Sequence, residues 1–566
     1  MPHLTCVLTF LSLGLCFSSS PPSLIVILTD DMGYNSPGFI NSAVLTPHID
    51  ALAASGVSAH MYSYKFCSPT RASLLTGRFP WRVTSTLCDG RVCNYLPAHV
   101  PMGVHTGYSM LPQRLQEAGY VSYHGGKWHE GMYAPQFTPT HRGFNRSNGF
   151  LSGGEDHYTL AADLGVGNCG VARGLPTRDA FIDNATSPQA VGTYTATRFA
   201  DAAVDYITHH PPASPLFLYL ALHNTHAPLE AEPQDLALYQ NISWKKQQTY
   251  YAMTSAVDRT VGRVVAALKA KGMWENSLLV WTTDNGCPVQ VGGSNGAFRG
   301  GKGSSAFFYW PPLPSPPGAP PPPLSPSLSL SAPLPPSQTD WEGGVHVPAV
   351  FSGGLVPASR WGTALPRSSG AFHVADLHAT ILARAGLGLV DPNPRAPAPV
   401  DGLDVWPWVL GALPTSPRTD AGLPLDHLNY DASRGITGAY IKGHLKLLVG
   451  GPQGEAQAGW FGGPPLYFTP NASMPAPPID QVACPNSSPP FGCLFNLTAD
   501  PNEHEDIALS APQAMAEMLA EFLALNATYH PPWIVPPSEE ALLCAVALEQ
   551  DNVAAPWRTG PLPWDQ

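Results

Sequence analysis

Apolar residues along this chain fall into short unbroken runs that end in polar clusters. Ser23-Leu-Ile-Val-Ile-Leu28 runs into Thr29-Asp30-Asp31, and Tyr120–Tyr123 into His124-Gly-Gly-Lys127-Trp-His129. Leu216–Leu222 runs into His223-Asn-Thr-His226, and Ser277–Thr282 into Thr283-Asp284-Asn285. Runs of this length without alternation predict strands buried on both faces. Between them, Ala196–His209 and Gln248–Lys271 carry apolar residues at helical spacing. In the second, Ala256, Val257, Val261, Val264, Val265 and Leu268 form one stripe, with Gly272 as a stop. Strands alternating with helices predict an α/β fold, a large and mainly parallel sheet flanked by helices. Ligands of such sheets bind beyond the carboxyl ends of the strands, so the four polar clusters are expected to meet in one pocket.

The alternation fades after residue 425. Gly435–Val449 reads as a hairpin and Ala511–Leu525 as a helix, which predicts a smaller C-terminal α+β domain over 426–566 beside a catalytic domain over 21–425. Pro-rich Asp391–Val400 reads as a surface loop. At the start, the apolar run Leu4–Phe17 followed by three serines predicts a secretory signal over 1–20. No later run approaches the roughly 18–20 apolar residues of a transmembrane helix.

Composition narrows the function. Against 41 acidic residues there are 29 Lys and Arg, a net charge of −12, which argues against a nucleic-acid partner. Seven Asn-x-Ser/Thr sequons, at Asn145, Asn184, Asn241, Asn471, Asn486, Asn496 and Asn526, agree with passage through the secretory pathway, to the exterior or to a lysosome- or vacuole-like compartment. Removing Cys6 and Cys16 with the leader leaves eight of the ten cysteines, expected to pair in an oxidising compartment. Cys484 and Cys493 are close enough to close a small loop, whereas Cys88, Cys93, Cys169, Cys287 and Cys544 have no assignable partners. Cys67 stands in a different context.

That context is Cys67-Ser-Pro69-Thr-Arg71-Ala-Ser-Leu-Leu75-Thr76-Gly77-Arg78. The segment resembles the sulfatase family, whose Cys-x-Pro-x-Arg motif marks a cysteine that a dedicated enzyme oxidises to formylglycine. Thr46-Pro-His-Ile-Asp50, Gly153-Gly-Glu-Asp-His157 and Trp341-Glu-Gly-Gly-Val345 make the wider chain most similar to the arylsulfatase B group of that family. The resemblance covers about residues 24–303, resumes at 339 and thins over the last hundred residues. It implies an alkaline-phosphatase-like sulfatase fold and hydrolysis of aryl or carbohydrate sulfate esters, N-acetylgalactosamine sulfate among them. It also implies a formylglycine-generating enzyme as maturation partner. A hydrated aldehyde offers two hydroxyls on one carbon, one to attack sulfur and one to expel sulfate afterwards, so one hard step becomes two.

The same resemblance assigns the remaining roles. Cys67 is the nucleophile's precursor and Arg71 holds it. Asp30, Asp31, Asp284 and Asn285, with residue 67, match the ligands of one Ca2+, and three carboxylates with an amide oxygen suit a hard cation. Lys127 and Lys302 match the sulfate-binding lysines. His129 is the base for the second hydroxyl, His226 the acid facing the leaving oxygen, and His157 a lining residue of the substrate pocket.

One departure stands out. Lys302 and Trp341 are separated by 38 positions where the family has only a few, and 24 of the 28 residues from Pro311 to Gln338 are Pro, Ser or Leu. The insertion, taken as 305–338, reads as a tolerated surface loop, as a translated intron ending in Ser337-Gln338, or as a Pro-rich ligand segment. If present in the protein it is expected to displace Lys302 and weaken activity. Two rival functions follow: a phosphodiesterase or phosphatase of the same superfamily, which would use Ser or Thr and two zinc ions, or an inactive glycoprotein disrupted by the insertion.

Overall fold

The computed structural model describes residues 20–302 and 340–525, apart from 84, 89–90, 95–101, 163–177, 188–189, 289–290, 397, 430–435 and 450–491, and adds 533–534, 542, 545–546 and 555–556. The leader (except Ser20), the 305–338 tract, Cys169, Cys484, Cys544 and the sequons at Asn471, Asn486 and Asn526 fall outside these residues.

The four apolar runs become strands β1 (Ser23–Thr29), β3 (Val121–Lys127), β5 (Leu216–Ala221) and β6 (Ser277–Thr283). With β2 (Val57–Tyr62), β4 (Arg146–Phe150) and β7 (His346–Ser352) they build one sheet in the order β2-β7-β6-β1-β5-β3-β4, extended at both ends by two-residue strands. The block β6-β1-β5-β3-β4 is parallel, while β7 runs antiparallel to both β6 and β2. Every residue of β1 is buried because both faces are covered. Ile25 and Ile27 pack with Leu218 and Leu220 under helices α1 (Pro47–Ala54), α3 (Thr195–His209) and α4 (Lys245–Ala270), which contribute Leu52, Phe199, Val257 and Val261. Leu24, Val26 and Leu28 pack on the other face with Leu74 and Leu75 of α2 (Cys67–Thr76) and Leu377 and Ile381 of α5 (Val374–Arg384).

In β3 the strand continues through the polar cluster as far as Lys127, beyond the apolar run that predicts it. Glycine makes this possible. Gly126 has φ of 97°, and a Cβ there would stand 2.0 Å from the Ala221 carbonyl oxygen of β5.

Beyond this core, β8 (Leu423–Asn429), β9 (Ile436–Lys442), β10 (Leu445–Val449) and β11 (Cys493–Asn496) form an antiparallel four-stranded sheet in chain order. It contains the expected hairpin as β9–β10. Helix α6 (Pro512–Ala524) packs Met515, Met518 and Phe522 on one face of this sheet, and Trp341, Val345 and Tyr62 pack on the other. Cys493 is disulfide-bonded. Cys287, expected to pair, is instead a free buried thiol, enclosed by Gly33, Gly293 and Tyr250. Among the described residues, no helix is long and apolar enough to cross a membrane.

Candidate active site

The strands deliver their polar ends to one place. Pairing continues past them: Asp30 donates its backbone N–H to Asn224 O at 2.9 Å, and Asp284 to Thr29 O at 3.0 Å. The loops after β1, β5 and β6 are therefore stitched together before any side chain is considered. The fourth contribution is α2. Cys67 opens this helix, and Pro69 sits in its first turn, where the missing N–H costs nothing. Gly77 ends the helix at φ 71°, and a Cβ there would meet His378 Cδ2 at 2.6 Å. Arg78 then donates to Ala398 O at 2.7 Å and pairs with Asp391 at 2.8 Å. The later half of the cysteine motif thus stops the helix and ties down the Asp391–Val400 loop.

Asp30, Asp31, Cys67, Arg71, Lys127, His129, His226, Asp284, Asn285 and Lys302 meet in this pocket, none more than 5% exposed. Charges this deep must be paired, and three carboxylates face three cations. Lys127 Nζ lies 2.6 Å from Asp30 Oδ2 and Lys302 Nζ 2.5 Å from Asp31 Oδ1. Arg71 donates to Asp284 Oδ2 through Nη2 at 2.7 Å and Nε at 3.1 Å. Burial pushes the Asp30 carboxyl up, but Lys127, His226, Arg71 and Lys302 outweigh it and hold the group well below the usual carboxylate range. Burial and the neighbouring Asp30 push Asp284 up to about 7.

The Cys67 thiol is bracketed by Lys302 Nζ at 3.1 Å and Asp30 Oδ1 at 3.5 Å. Burial, reinforced by the Asp30 carboxylate, pushes it up to about 12 in spite of both lysines. The expected displacement of Lys302 does not occur. The flanks of the 303–339 segment are clamped to each other. Gly343 donates to Arg299 O at 2.7 Å, the Arg299 guanidinium lies 3.8 Å above the Trp341 ring, and Lys65 pairs with Asp340 at 2.9 Å.

Asp30, Asp31, Cys67 and Asp284 each offer a ligand atom within 4.8 Å of the others. Asn285 donates through Nδ2 to Asp31 at 2.7 Å, and its buried Oδ1 accepts no hydrogen bond among the described residues. An orphaned amide oxygen beside crowded carboxylates fits a hard cation.

Three histidines surround the thiol cluster. His226 Nδ1 donates to the Ala227 carbonyl at 2.7 Å, leaving Nε2 toward Asp31 Oδ2 at 3.9 Å. Burial, then Lys302, pulls His226 down to about 4. His129 lies against Gly153, held well below its ordinary value by burial and by Lys127. His223, to which the sequence reading gave no role, joins Asp30 and His226 in a second group of mutually close ligand atoms. Its signal was its place at the end of the β5 run. His157, expected to line the pocket, stands one layer back. It is fully buried, accepts from Thr195 Oγ1 at 2.6 Å and donates to the His226 carbonyl at 3.1 Å, so both ring nitrogens are committed to scaffolding.

A family model described as Sulfatase matches residues 22–387. Arylsulfatase J of Mus musculus is 29% identical over 533 residues, which span 91% of this chain and 77% of that protein. The N-acetylgalactosamine-6-sulfatase of Sus scrofa is 30% identical over 423 residues, 72% of this chain and 70% of that one. The crystal structure of Ps i-CgsB in complex with k-i-k-neocarrahexaose is similar at a TM-score of 0.67 and 26% identity, covering 94% of this chain and 99% of that one. These likenesses carry the family and not the narrower arylsulfatase B group. On the family match across the sheet that assembles this pocket, the chain belongs to the sulfatase family and is a sulfuric ester hydrolase of the α/β, alkaline-phosphatase-like fold.

Proposed function

We propose that the enzyme hydrolyses aryl or carbohydrate sulfate esters, sulfated N-acetylgalactosamine among them, through a formylglycine made from Cys67 and one Ca2+ held by Asp30, Asp31, Asp284, Asn285 and residue 67. The observation that carries this reading is the placement of Cys67, whose Sγ lies within 4.8 Å of ligand oxygens of Asp30, Asp31 and Asp284 and 3.1 Å from Lys302 Nζ. A hydroxyl at residue 67 would there face both the cation and a sulfate-binding lysine. When present, the aldehyde hydrate supplies the nucleophile and the cation a Lewis acid for a sulfate oxygen. The substrate class draws on the arylsulfatase B-like motifs and on the N-acetylgalactosamine-6-sulfatase relatives.

The chain's own residues divide the rest of the work. Lys127 and Lys302 neutralise sulfate oxygens, and Arg71 fixes the Asp284 carboxylate. His226 protonates the leaving oxygen, and the incoming anion stabilises the imidazolium that burial and Lys302 otherwise disfavour. His129 takes a proton from the hydroxyl at residue 67. Entry into the secretory pathway is supported by the Cys493 disulfide and by exposed sequons at Asn145, Asn184 and Asn241.

The test is aryl sulfate turnover by calcium-loaded protein from cells that supply the formylglycine-generating enzyme, with mass spectrometry of the residue 67 peptide. The expected result is conversion at Cys67 and turnover lost in Cys67→Ala. Turnover by an unconverted thiol would sink the proposal. The Asp30, His223, His226 group favours a second reading, a two-metal phosphoesterase. Metal analysis separates the two: one calcium, or two zinc ions.

A further inference from the structure

Beside the pocket, the loops that carry Asp31 and Lys302 also carry Tyr34 and Phe298. Their rings meet at 4.9 Å, edge to face. Both lie over His346 at the start of β7, Tyr34 at 4.8 Å and Phe298 stacked at 4.7 Å. His60 of β2 completes the group, its ring parallel to Tyr34 with centroids 6.2 Å apart. Tyr34, His60 and Phe298 are partly exposed, whereas His346 is fully buried beneath them. β2 runs parallel to β1 and β7 antiparallel, so His60 and His346 lie toward the edge of the sheet that carries the catalytic side chains.

A buried charge lies beneath this cluster. Glu342 is fully buried, and Lys446 at 3.0 Å and Arg367 at 2.8 Å keep it ionised. His346 Nδ1 faces Glu342 Oε2 at 3.0 Å and Arg367 Nη1 at 3.4 Å. His346 Nε2 and His60 Nδ1 share one proton across 2.9 Å. The remaining nitrogen, His60 Nε2, has no hydrogen-bond partner among the described residues.

We propose that Tyr34, Phe298 and His60 form the subsite that seats the sugar ring of a carbohydrate sulfate ester, with His60 Nε2 hydrogen-bonded to one of its hydroxyls. This rests on the carbohydrate reading of the substrate. Aromatic walls with one oriented polar atom are what a ring with apolar C–H faces and a hydroxyl edge requires. Glu342 and His346 are positioning residues, which hold the His60 ring without touching the ligand.

The experiment compares wild type, His60→Phe and His60→Gln on 4-nitrophenyl sulfate and on a sulfated N-acetylgalactosamine disaccharide. The aryl ester carries no hydroxyl donor. The expected result is that His60→Phe loses about tenfold in kcat/KM on the disaccharide, stays within about twofold on the aryl ester, and is partly rescued in His60→Gln, which keeps a hydrogen-bonding group. Equal loss on both substrates, or none on the disaccharide, overturns the subsite. Calorimetric binding of the same disaccharide to Cys67→Ala, with and without Tyr34→Ala, needs neither turnover nor a change at His60. Binding that Tyr34→Ala weakens supports the subsite; binding that it leaves unchanged, or no binding by the parent, overturns it. Wild type inactive on both esters would count against the proposed activity alone, since binding still decides the subsite.

Discussion

At the scale of single residues, the pocket is a set of charges that could not survive burial separately. Lys302 is held well above its ordinary pKa because Asp31, with Asp30 and Asp284, outweighs the burial that would discharge it. Its ammonium lies 3.1 Å from Cys67 Sγ, where the proposed reaction gathers negative charge. Lys302→Ala is expected to lower kcat by about 10²–10³-fold, the range for losing one preorganised donor. Steady-state kinetics decide it, and a loss under tenfold would mean that Lys302 does not meet the sulfate. Most of these residues were legible because a motif names them. His157 shows the limit, since sequence places it near the site but not which side of His226 it faces. Tyr34, His60 and His346 were illegible for another reason. They come from three strands and loops, and only the order β2-β7-β6-β1 brings them together.

At the scale of elements, the apolar runs predicted strands well wherever both faces are buried, as in β1 and β5. They predicted β3 short because His-Gly-Gly-Lys carries no apolar signal, and close approach of β5 rather than propensity keeps those residues extended. The packing of α2 against α5 has a pH signature. His378 of α5 is 1% exposed, and burial, with Arg78 and Arg114, pulls it down to about 3. Its folded pKa lies below the unfolded value of about 6.5, so as pH falls the unfolded chain takes up this proton first. The stabilisation is complete above about 6.5 and is lost progressively below it. Relative to His378→Gln, wild type is expected to lose about 1.4 kcal/mol of stability per pH unit between roughly 6 and 4. Urea unfolding of both proteins at several pH values measures the difference, and parallel profiles would show that His378 titrates as it does in the unfolded chain.

At the scale of the whole molecule, two sheets share one boundary. Trp341 and Val345 leave the large sheet's edge and pack against Leu448 and Phe495 of the small one, while Glu342 binds Lys446 across it. Deleting residues 305–338 is expected to leave the melting temperature within a few degrees and turnover within about threefold. A flexible loop costs only about 0.6 kcal/mol per doubling of its length. Calorimetry and the aryl sulfate assay check this, and a collapse of either would show that the tract itself supports the fold. The clamp of Arg299 on Trp341 and Gly343 has a wider meaning. The two flanks hold each other without help from what is spelled between them, so this point of the chain is expected to behave as a seam. Should the deletion leave fold and turnover intact, a reporter or affinity handle grafted there is expected to ride on the enzyme without retuning it.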